Sequence, residues 1–256
     1  MAAVKDSAIC LRRQNYSETS QIVTLFGRAW GKVRGLAKGS KRPRSPFGGG
    51  IEPLTAGHVV FAPPRGETGL ATLTQFDLAE GFTALRSNLA GLHCAQYAAE
   101  LLAECTEELD PHEALYEAFL GALRSWETGS RPEAVLVEWE STLLREIGLA
   151  ARFDRCCACG GGLAAERRSY FTSRGGGMLC RECEPAVAEK RCVGPQALAV
   201  LQSPSTAPRT PPGAVLEAHE LLSYHLRELL GKQPRTLNFL NQLLGSKGSG
   251  HGKSRK

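Results

Sequence analysis

The sequence predicts an α+β protein in which a small β-barrel precedes a mainly helical region. Three observations support this prediction. β-rich runs divided by turns fill the first eighty residues, the apolar pattern then changes to a helical period, and two Cys-x-x-Cys pairs interrupt the helical part. A hydrophobic content of 42% with 22% charged residues is ordinary for a folded protein and argues against disorder of the whole chain.

Five β-rich runs lie between Ser7 and Gly81, namely AICLRR, SQIVTLFG, GKVRGLAKG, GHVVFAP and GLATLTQFD. Turn sequences such as Ala29-Trp30-Gly31 and Pro63-Pro64-Arg65-Gly66 separate them. Five strands with no helical period between them are typical of a small closed barrel, so we predict an OB-fold over residues 1–80. This fold offers a face and loops that bind single-stranded nucleic acid.

After Gly81 the apolar residues follow a helical period. One predicted helical face within LHCAQYAAELLAECTEEL contains Cys94, Ala98, Leu101, Leu102 and Cys105. Both cysteines are therefore predicted as reduced core residues. Two more helices are predicted, Asp110–Glu127 with Asp110 as N-cap, and Pro132–Ile147 ending at Gly148. GPQALAVLQ and GAVLEAHELLSYHLRELLG resume the helical period.

The cysteine cluster is the most specific local pattern in the sequence. It contains Cys156-x2-Cys159 and, after a gap of twenty residues, Cys180-x2-Cys183. Four thiolates at this spacing can bind one tetrahedral Zn²⁺ ion, and a site closed by four thiolates is structural rather than catalytic. Cys157 and Cys192 are predicted to stay outside the site. The odd total of nine cysteines argues against a disulfide framework.

These elements divide the chain into five segments: a barrel (1–80), a first helical part (81–151), a zinc module (152–190), a second helical part (191–244) and a disordered basic tail (245–256). The acids between Glu100 and Glu146 are predicted on solvent faces of helices. No G-x-S-x-G, H-E-x-x-H or dinucleotide-binding pattern is found, so no enzyme class is supported. Without an apolar leader or a run near the length of a membrane span, a cytoplasmic protein is expected.

Charge is divided unevenly along the chain, whose formal net charge is +5. Residues 1–50 carry ten Lys and Arg against two acids, residues 51–150 carry five against sixteen, and residues 151–256 carry sixteen against eight. The three net charges are therefore +8, −11 and +8. A protein that uses charge only for solubility mixes the two signs, so this separation favours binding of a polyanion.

The densest basic run, KVRGLAKGSKRPRSPFGGG at residues 32–50, contains no acid and ends in three glycines. A solvated loop is the alternative interpretation. We predict instead that the run binds phosphates, with Gly35 and Gly39 letting the backbone approach them. The candidate DNA contacts are Arg12, Arg13, Lys32, Arg34, Lys38, Lys41, Arg42 and Arg44.

The order of these features resembles one family, RecO, the bacterial recombination mediators of DNA repair. The resemblance begins with AICLRRQNYSETSQIVTLFGRAWGKVRGLAKGSKRPRSPFGGGIEP, continues through LTQFDL and the cysteine pairs, and ends with YHLRELLGKQPRTLNFL. It covers most of the chain, and the N-terminal run is its most specific part. One departure is Pro234-Arg235-Thr236, where many members have a Lys-Ser pair after a Leu.

The resemblance implies an N-terminal OB-fold, a helical domain with an inserted zinc module, and no catalytic turnover. Family members are similar in binding single- and double-stranded DNA, in annealing complementary strands, and in working with RecR to load RecA onto DNA coated by single-strand binding protein (SSB). The acidic C-terminal tail of SSB is expected to dock on the helical domain. Association with the nucleoid follows from these roles.

A second hypothesis belongs to another class of protein. A zinc-ribbon DNA-binding scaffold, or a transcription-associated protein, would contact duplex DNA through the cysteine module and bind partners through its helices. Its phosphate contacts would lie around Arg155, Arg167, Arg168, Arg174 and Arg181. The location of the phosphate contacts therefore separates the two hypotheses.

Overall fold

The structure is a computed structural model that describes residues 3–64, 69–163 and 168–245. Beyond Gly245, the predicted disordered tail lies outside the described residues, as do Arg65 and Gly66 of one predicted turn and Arg167 of the second hypothesis. The chain forms two compact units, one of Met1–Asn88 with Ala98–Gly129 and one of Leu89–Tyr97 with Ser130–Lys256.

The first unit contains a closed five-stranded barrel, which confirms the predicted OB-fold. Its strands are β1 (Val4–Asn15), β2 (Gln21–Gly27), β3 (Gly31–Ala37), β4 (Ala56–Ala62) and β5 (Ala71–Glu80). They follow the order β1-β2-β3-β5-β4, and β4 closes the barrel by pairing with β1. Only the pairing of β3 with β5 is parallel. All five predicted strands are confirmed.

A β-bulge in β1 determines which of its side chains face outward. Cys10 lies opposite Leu25 in the barrel core, but the register then shifts, so that Arg12 lies opposite Thr24 rather than inside the barrel. Thr24 in turn lies opposite Arg34 of β3. An extra residue in one strand reverses the alternation of the side chains that follow it. The bulge therefore puts Arg12 and Arg34 in one row on the outer surface.

Gly35 of β3, predicted to let the backbone approach phosphate, instead packs against the barrel core. Gly35 pairs with Ala71 of β5, and a Cβ atom at this position would lie 1.9 Å from Cδ1 of Leu73. Since Leu73 fills the barrel core, no side chain fits at Gly35 without displacing it. Gly39, by contrast, lies in the loop after β3 with a φ of +68°, a conformation that favours glycine.

The helices of the first unit are the second part of α1 (Leu89–Cys105) and α2 (Glu113–Glu127). The prediction that α2 begins at Asp110 is wrong. Leu109 takes a left-handed φ of +61° and its N–H donates to the carbonyl of Lys32 in β3, so the chain is held against the barrel before the helix begins. The carboxylate of Asp110 contacts His112, the residue before the helix, at 3.0 Å instead of capping it.

The second unit contains the first part of α1 together with four helices: α3 (Pro132–Glu146), α4 (Pro195–Gln202), α5 (Pro212–Leu230) and α6 (Leu237–Leu244). Helix α3 ends one residue earlier than predicted, and Gly148 follows with the expected positive φ, +74°. Cys94 is buried as predicted, whereas Cys105, at the end of α1, is only half-buried. Residues 98–129, expected in a separate helical domain, belong to the same compact unit as the barrel.

A small sheet in the second unit carries the cysteine pairs. Its strands are β6 (Arg152–Cys156), β7 (Ser169–Thr172), β8 (Gly177–Leu179) and β9 (Arg191–Val193), in the order β6-β8-β7-β9. The sheet extends beyond the predicted limit at residue 190, because β9 pairs with β7. Within the described residues, no helix has both the length and the apolar character needed to cross a membrane.

Candidate metal centre and nucleic-acid interface

The structure brings the four predicted ligand cysteines together. Cys156 ends β6 and Cys159 lies in the turn after it, while Cys180 follows β8 and Cys183 starts a short 3₁₀ turn. All four Sγ atoms lie within 4.8 Å of one another, and those of Cys159 and Cys180 are 3.7 Å apart. A tetrahedral zinc ion with Zn–S bonds of about 2.3 Å separates its sulfur ligands by roughly 3.8 Å. The donor atoms and their spacing therefore fit zinc.

The backbone of the first knuckle is shaped around its sulfur atoms. Gly160 takes a φ of +74°, and the N–H of Gly161 donates to Sγ of Cys159 at 3.4 Å. A Cβ atom at Gly161 would lie 3.3 Å from the same sulfur atom. The backbone at Gly161 therefore lets an N–H group approach a ligand sulfur atom.

The thiols of the cluster differ in acidity. Burial raises the pKa of Cys156, but hydrogen bonds from the backbone of Cys159, Cys180 and Ala158 outweigh this effect and hold it at about 6. The neighbouring thiols of Cys180 and Cys159 raise the pKa of Cys183 to about 12. One thiolate thus forms readily, whereas ionising all four in such a small space requires a cation to offset their repulsion.

The two remaining cysteines of this segment lie outside the cluster. Cys157 is half-buried, and its Sγ would lie 3.1 Å from a Cβ atom at Gly175 in the β7–β8 turn. Cys192 is exposed on β9, with its Sγ 3.8 Å from the guanidinium of Arg168. Neither sulfur belongs to the group of four that could hold a metal.

Glu189 fastens the cysteine module to helix α5. Its carboxylate accepts hydrogen bonds from the hydroxyls of Thr172 in β7 and Tyr224 in α5, and from the N–H groups of two residues in the β7–β8 turn. Burial raises the pKa of Glu189, but the hydrogen bonds outweigh it and leave that pKa below its usual value. Burial, and to a smaller extent the hydrogen bond with Glu189, raise the pKa of Tyr224 to about 12. No sequence pattern indicates this contact, because its members are distant in the chain.

A second polar contact joins the same two parts. His225 of α5 is buried, and its Nδ1 lies 2.7 Å from the hydroxyl of Ser173 in the β7–β8 turn. Its ring also meets the buried Phe171 edge-on, with centroids 5.4 Å apart. Burial lowers the pKa of His225, which favours the neutral ring, and the serine hydroxyl can pair with either tautomer because it both donates and accepts. The position of the module is therefore determined by packing as well as by hydrogen bonds.

The predicted phosphate contacts occupy three kinds of position. Lys32 and Lys41 are half-buried, and the exposed members of the set are Arg12, Arg13, Arg34, Lys38, Arg42 and Arg44. Arg13 pairs with Glu52, and Arg34 lies 3.7 Å from a carboxylate oxygen of Glu108. Within the described residues, no ion pair is formed by Arg12, Lys38, Arg42 or Arg44. These four cations are available to an outside anion.

Lys32 has an internal role that the sequence does not reveal. Its ammonium donates to the carbonyl oxygens of Ala103, at 2.7 Å, and of Thr106, both at the C-terminal end of α1. A cation at this end of a helix meets carbonyls without helical partners and the negative end of the helix dipole. The charge of Lys32 is therefore used inside the first unit, where its ammonium binds these carbonyls in place of a phosphate.

The loop that follows β3, residues 38–55, is anchored to the barrel through Gln21. The amide of this fully buried residue accepts from the hydroxyl of Ser40 at 2.9 Å and from the N–H of Ile51 at 3.0 Å, and donates to the carbonyl of Ile51 at 3.3 Å. Ile51 and Phe47 are buried in the barrel core. The loop therefore holds its cations on a fixed base; we call residues 38–44 the basic segment.

The glycine triplet completes this loop. Gly48, Gly49 and Gly50 have φ values of +64°, +96° and +128°. Residues with a Cβ atom rarely adopt this region, so three glycines in succession let the chain reverse between Phe47 and Ile51 while both side chains enter the barrel. The glycines thus serve the anchoring of the loop.

A buried ion pair in the second unit contradicts one expectation. Glu140 of α3, predicted on a solvent face, is fully buried with its oxygens 3.0 and 3.1 Å from Nδ1 of His219 in α5. Nε2 of His219 lies 3.3 Å from Oδ1 of Asn241 in α6. Burial raises the pKa of Glu140; for His219 burial lowers the pKa, but the carboxylate of Glu140 outweighs it and the net pKa is raised. The pair links three helices.

Comparison with known proteins agrees with the order of these parts. Residues 1–82 match the family described as Recombination protein O N terminal, and residues 86–238 match the one described as Recombination protein O C terminal. Among curated relatives, "DNA repair protein RecO" of Anaeromyxobacter sp. (strain Fw109-5) is 35% identical over 248 residues, covering 94% of this chain and 96% of the relative. The protein of that name from Myxococcus xanthus is 32% identical, and the match covers 95% of this chain and 99% of the relative. The protein of that name from Bacillus pumilus is 29% identical, and the match covers 94% of each chain.

Proposed function

Because the chain belongs to the RecO family of recombination proteins, we propose that it serves DNA repair and recombination by binding DNA and annealing complementary strands. The observation that carries this proposal is the basic segment. Lys38, Arg42 and Arg44 are exposed on an anchored loop, and in the part of the chain that the structure describes none of them has a carboxylate partner. Such a surface binds a polyanion and does not depend on base sequence.

The outer row of the barrel extends this surface. Arg12 and Arg34 lie in one row across β1, β2 and β3, with Thr24 between them. Lys38 follows Arg34 by four residues, where β3 leaves the barrel. Phosphates bound along this path have their repulsion lowered by the cations, which is what two complementary strands require before they pair. The protein acts by binding and not by catalysing a reaction.

The partners of this function are part of the proposal. We expect RecR to act together with this protein in loading RecA onto DNA coated by SSB, in the cytoplasm and at the nucleoid. We expect the acidic tail of SSB to bind the helical part of the chain, because an apolar groove flanked by a cation would suit an acidic peptide that ends in apolar residues.

One zinc ion per chain is proposed at the four cysteines. Cys156, Cys159, Cys180 and Cys183 would hold it, and the ion would supply folding free energy to a module with a small apolar core. The contacts of Glu189 with Tyr224 and of Ser173 with His225, both in helix α5, then fix the position of this module. The zinc site is structural in this proposal.

The decisive experiment replaces Lys38, Lys41, Arg42 and Arg44 with alanine in the full chain. Affinity for DNA of any sequence should fall, and the slope of log affinity against log salt should decrease by roughly 0.7 per lost contact on single strands, about 3 units in all. Strand annealing should fall with it. Binding is measured by fluorescence anisotropy across a salt series, and annealing on naked and SSB-coated strands with and without RecR.

Two control variants make the result specific. Alanine at Arg86, Arg145, Arg209 and Lys232 removes the same charge from other exposed positions and should leave the slope unchanged. Alanine at Arg174 and Arg181 tests the zinc-ribbon scaffold, for which these side chains would be main contacts. If the variant of Lys38, Lys41, Arg42 and Arg44 keeps the parental slope of log affinity against log salt, the basic segment does not bind DNA. If only the Arg174 and Arg181 variant reduces it, the scaffold hypothesis is correct.

A further inference from the structure

The first fifty residues contain four aromatic side chains, and the structure buries or packs three of them. Phe26 is fully buried, and Phe47 fills the barrel core. Trp30 packs edge-on against Phe61, with centroids 5.8 Å apart. Tyr16 is 63% exposed, and among the described residues its side chain forms no hydrogen bond or ring contact. Of the four aromatic rings in the first fifty residues, the ring of Tyr16 is thus free to contact a ligand.

The turn that carries Tyr16 is well ordered by hydrogen bonds. The N–H groups of Tyr16 and Ser17 donate to the carbonyl of Ser20 at 3.0 and 3.2 Å, and the N–H of Ser20 donates to the hydroxyl of Ser17 at 3.2 Å. This turn is also bonded to the basic segment. The N–H of Lys41 donates to the carbonyl of Thr19 at 3.0 Å, and its ammonium to that of Ser17 at 3.2 Å. The turn that carries the ring is therefore held beside the basic segment.

The barrel surface leading to Tyr16 combines charge with apolar area. Beyond the row of Arg12, Thr24 and Arg34, the next outward-facing row along the strands contains Gln14, Ile22 and Leu36. The aliphatic side chains of Ile22 and Leu36 are half-buried. At about 3.4 Å per residue, Tyr16 lies roughly 14 Å along the chain from Arg12. Glu18 is the acid of the turn itself, and it is exposed. A nucleic acid strand on this surface meets phosphate-binding and base-binding groups together.

We propose that the ring of Tyr16 stacks on a base of single-stranded DNA whose phosphates lie along the basic segment. This inference rests on the proposed function and adds to it a residue that selects single strands. Bases of a duplex are already stacked on their neighbours, so an isolated ring gains little from duplex DNA. Every base has a π-face, so stacking on one ring tolerates any sequence.

The test compares two strands that differ only in their bases. One is a fluorescent oligothymidine, and the other is an abasic oligomer of the same length with the same phosphates. Tyr16→Ala should weaken binding of the thymidine strand at least about fivefold, the lower end of what one stacked base contributes. It should leave affinity for the abasic strand unchanged. Tyr16→Phe, which keeps the ring, should bind both strands as the parent does.

The outcomes separate this inference from the proposed function. If the parent binds neither strand, the proposed function itself is wrong. If the parent binds both and Tyr16→Ala changes nothing, or weakens both strands equally, base stacking by Tyr16 is refuted while DNA binding stands. Phe239→Ala removes another exposed aromatic ring, in the second unit, and serves as the matched control that should change neither affinity.

Discussion

Replacing Gln21 with alanine tests whether a single buried amide anchors the basic segment. The amide makes three hydrogen bonds, one with Ser40 and two with Ile51, and its side chain is fully buried. A hydrogen bond of this kind contributes about 1 kcal/mol net. Loss of all three should therefore lower the free energy of unfolding by about 3 kcal/mol, and by more where the abandoned N–H and carbonyl of Ile51 find no water.

Two further variants show which property of Gln21 matters. Gln21→Leu keeps most of the volume but supplies no hydrogen bond, so it should destabilise nearly as much as Gln21→Ala. Gln14→Ala removes an exposed amide from the neighbouring strand and should stay within about 0.5 kcal/mol of the parent. Unfolding is followed in urea, with a salt series of DNA binding on the folded variants. If Gln21 anchors the loop, its variants should bind DNA more weakly, with an unchanged slope of log affinity against log salt.

An anchoring role for Gln21 is refuted if both Gln21 variants lie within about 1 kcal/mol of the parent. In that case the buried aromatic and aliphatic side chains of Phe47 and Ile51 would hold the loop without help from the amide. The role is also refuted if Gln14→Ala is as destabilising as Gln21→Ala, since the effect would then not depend on burial.

Three more predictions follow from contacts elsewhere. Cys159→Ser should lose the bound zinc and the local fold that depends on it, whereas Cys157→Ser should keep about one zinc per chain by metal analysis. Glu140→Ala should cost roughly 3–5 kcal/mol in urea unfolding, because it leaves His219 buried without its partner. The pKa of both groups is raised in the folded state, so the stabilisation by protonated His219 is present below the ordinary histidine pKa of about 6.5 and is lost as the pH rises above it; the difference in stability between variant and parent should therefore narrow with rising pH. Lys32→Met should cost about 1–2 kcal/mol in unfolding and leave the salt slope of DNA binding unchanged, since the ammonium bonds to carbonyls of α1; a reduced slope would contradict the internal role.

Short-range patterns predict the barrel strands and the metal ligands well. Runs of β-forming residues separated by turn sequences predict each strand, and two Cys-x-x-Cys pairs predict a tetrahedral site without reference to the rest of the fold. The closed order of the five strands and the group formed by Cys156, Cys159, Cys180 and Cys183 agree with these predictions. Both depend on residues that are close in the sequence or repeat at a fixed period.

Contacts between distant residues determine what the sequence could not predict. A lysine in a basic run has the same local pattern whether it meets solvent or, as Lys32 does, carbonyls seventy residues away. Glu140 lies among acids at helical spacing, and only the arrival of His219 from another helix makes its burial possible. The start of α2 differs from prediction because β3 captures Leu109 before the helix begins. Tertiary partners override local preference at each of these positions.

The anchoring of the loop between β3 and β4 also affects how much conformational freedom a bound strand removes. Fixing one backbone residue costs about 1–2 kcal/mol of conformational entropy. If a segment of this length were flexible, ordering it on binding would offset much of the free energy gained from electrostatic attraction. Here the interior positions of Phe47 and Ile51 impose that order during folding. If DNA binds this surface as proposed, the cations need no ordering when a strand arrives, so one strand can leave and another can take its place without any refolding of the surface.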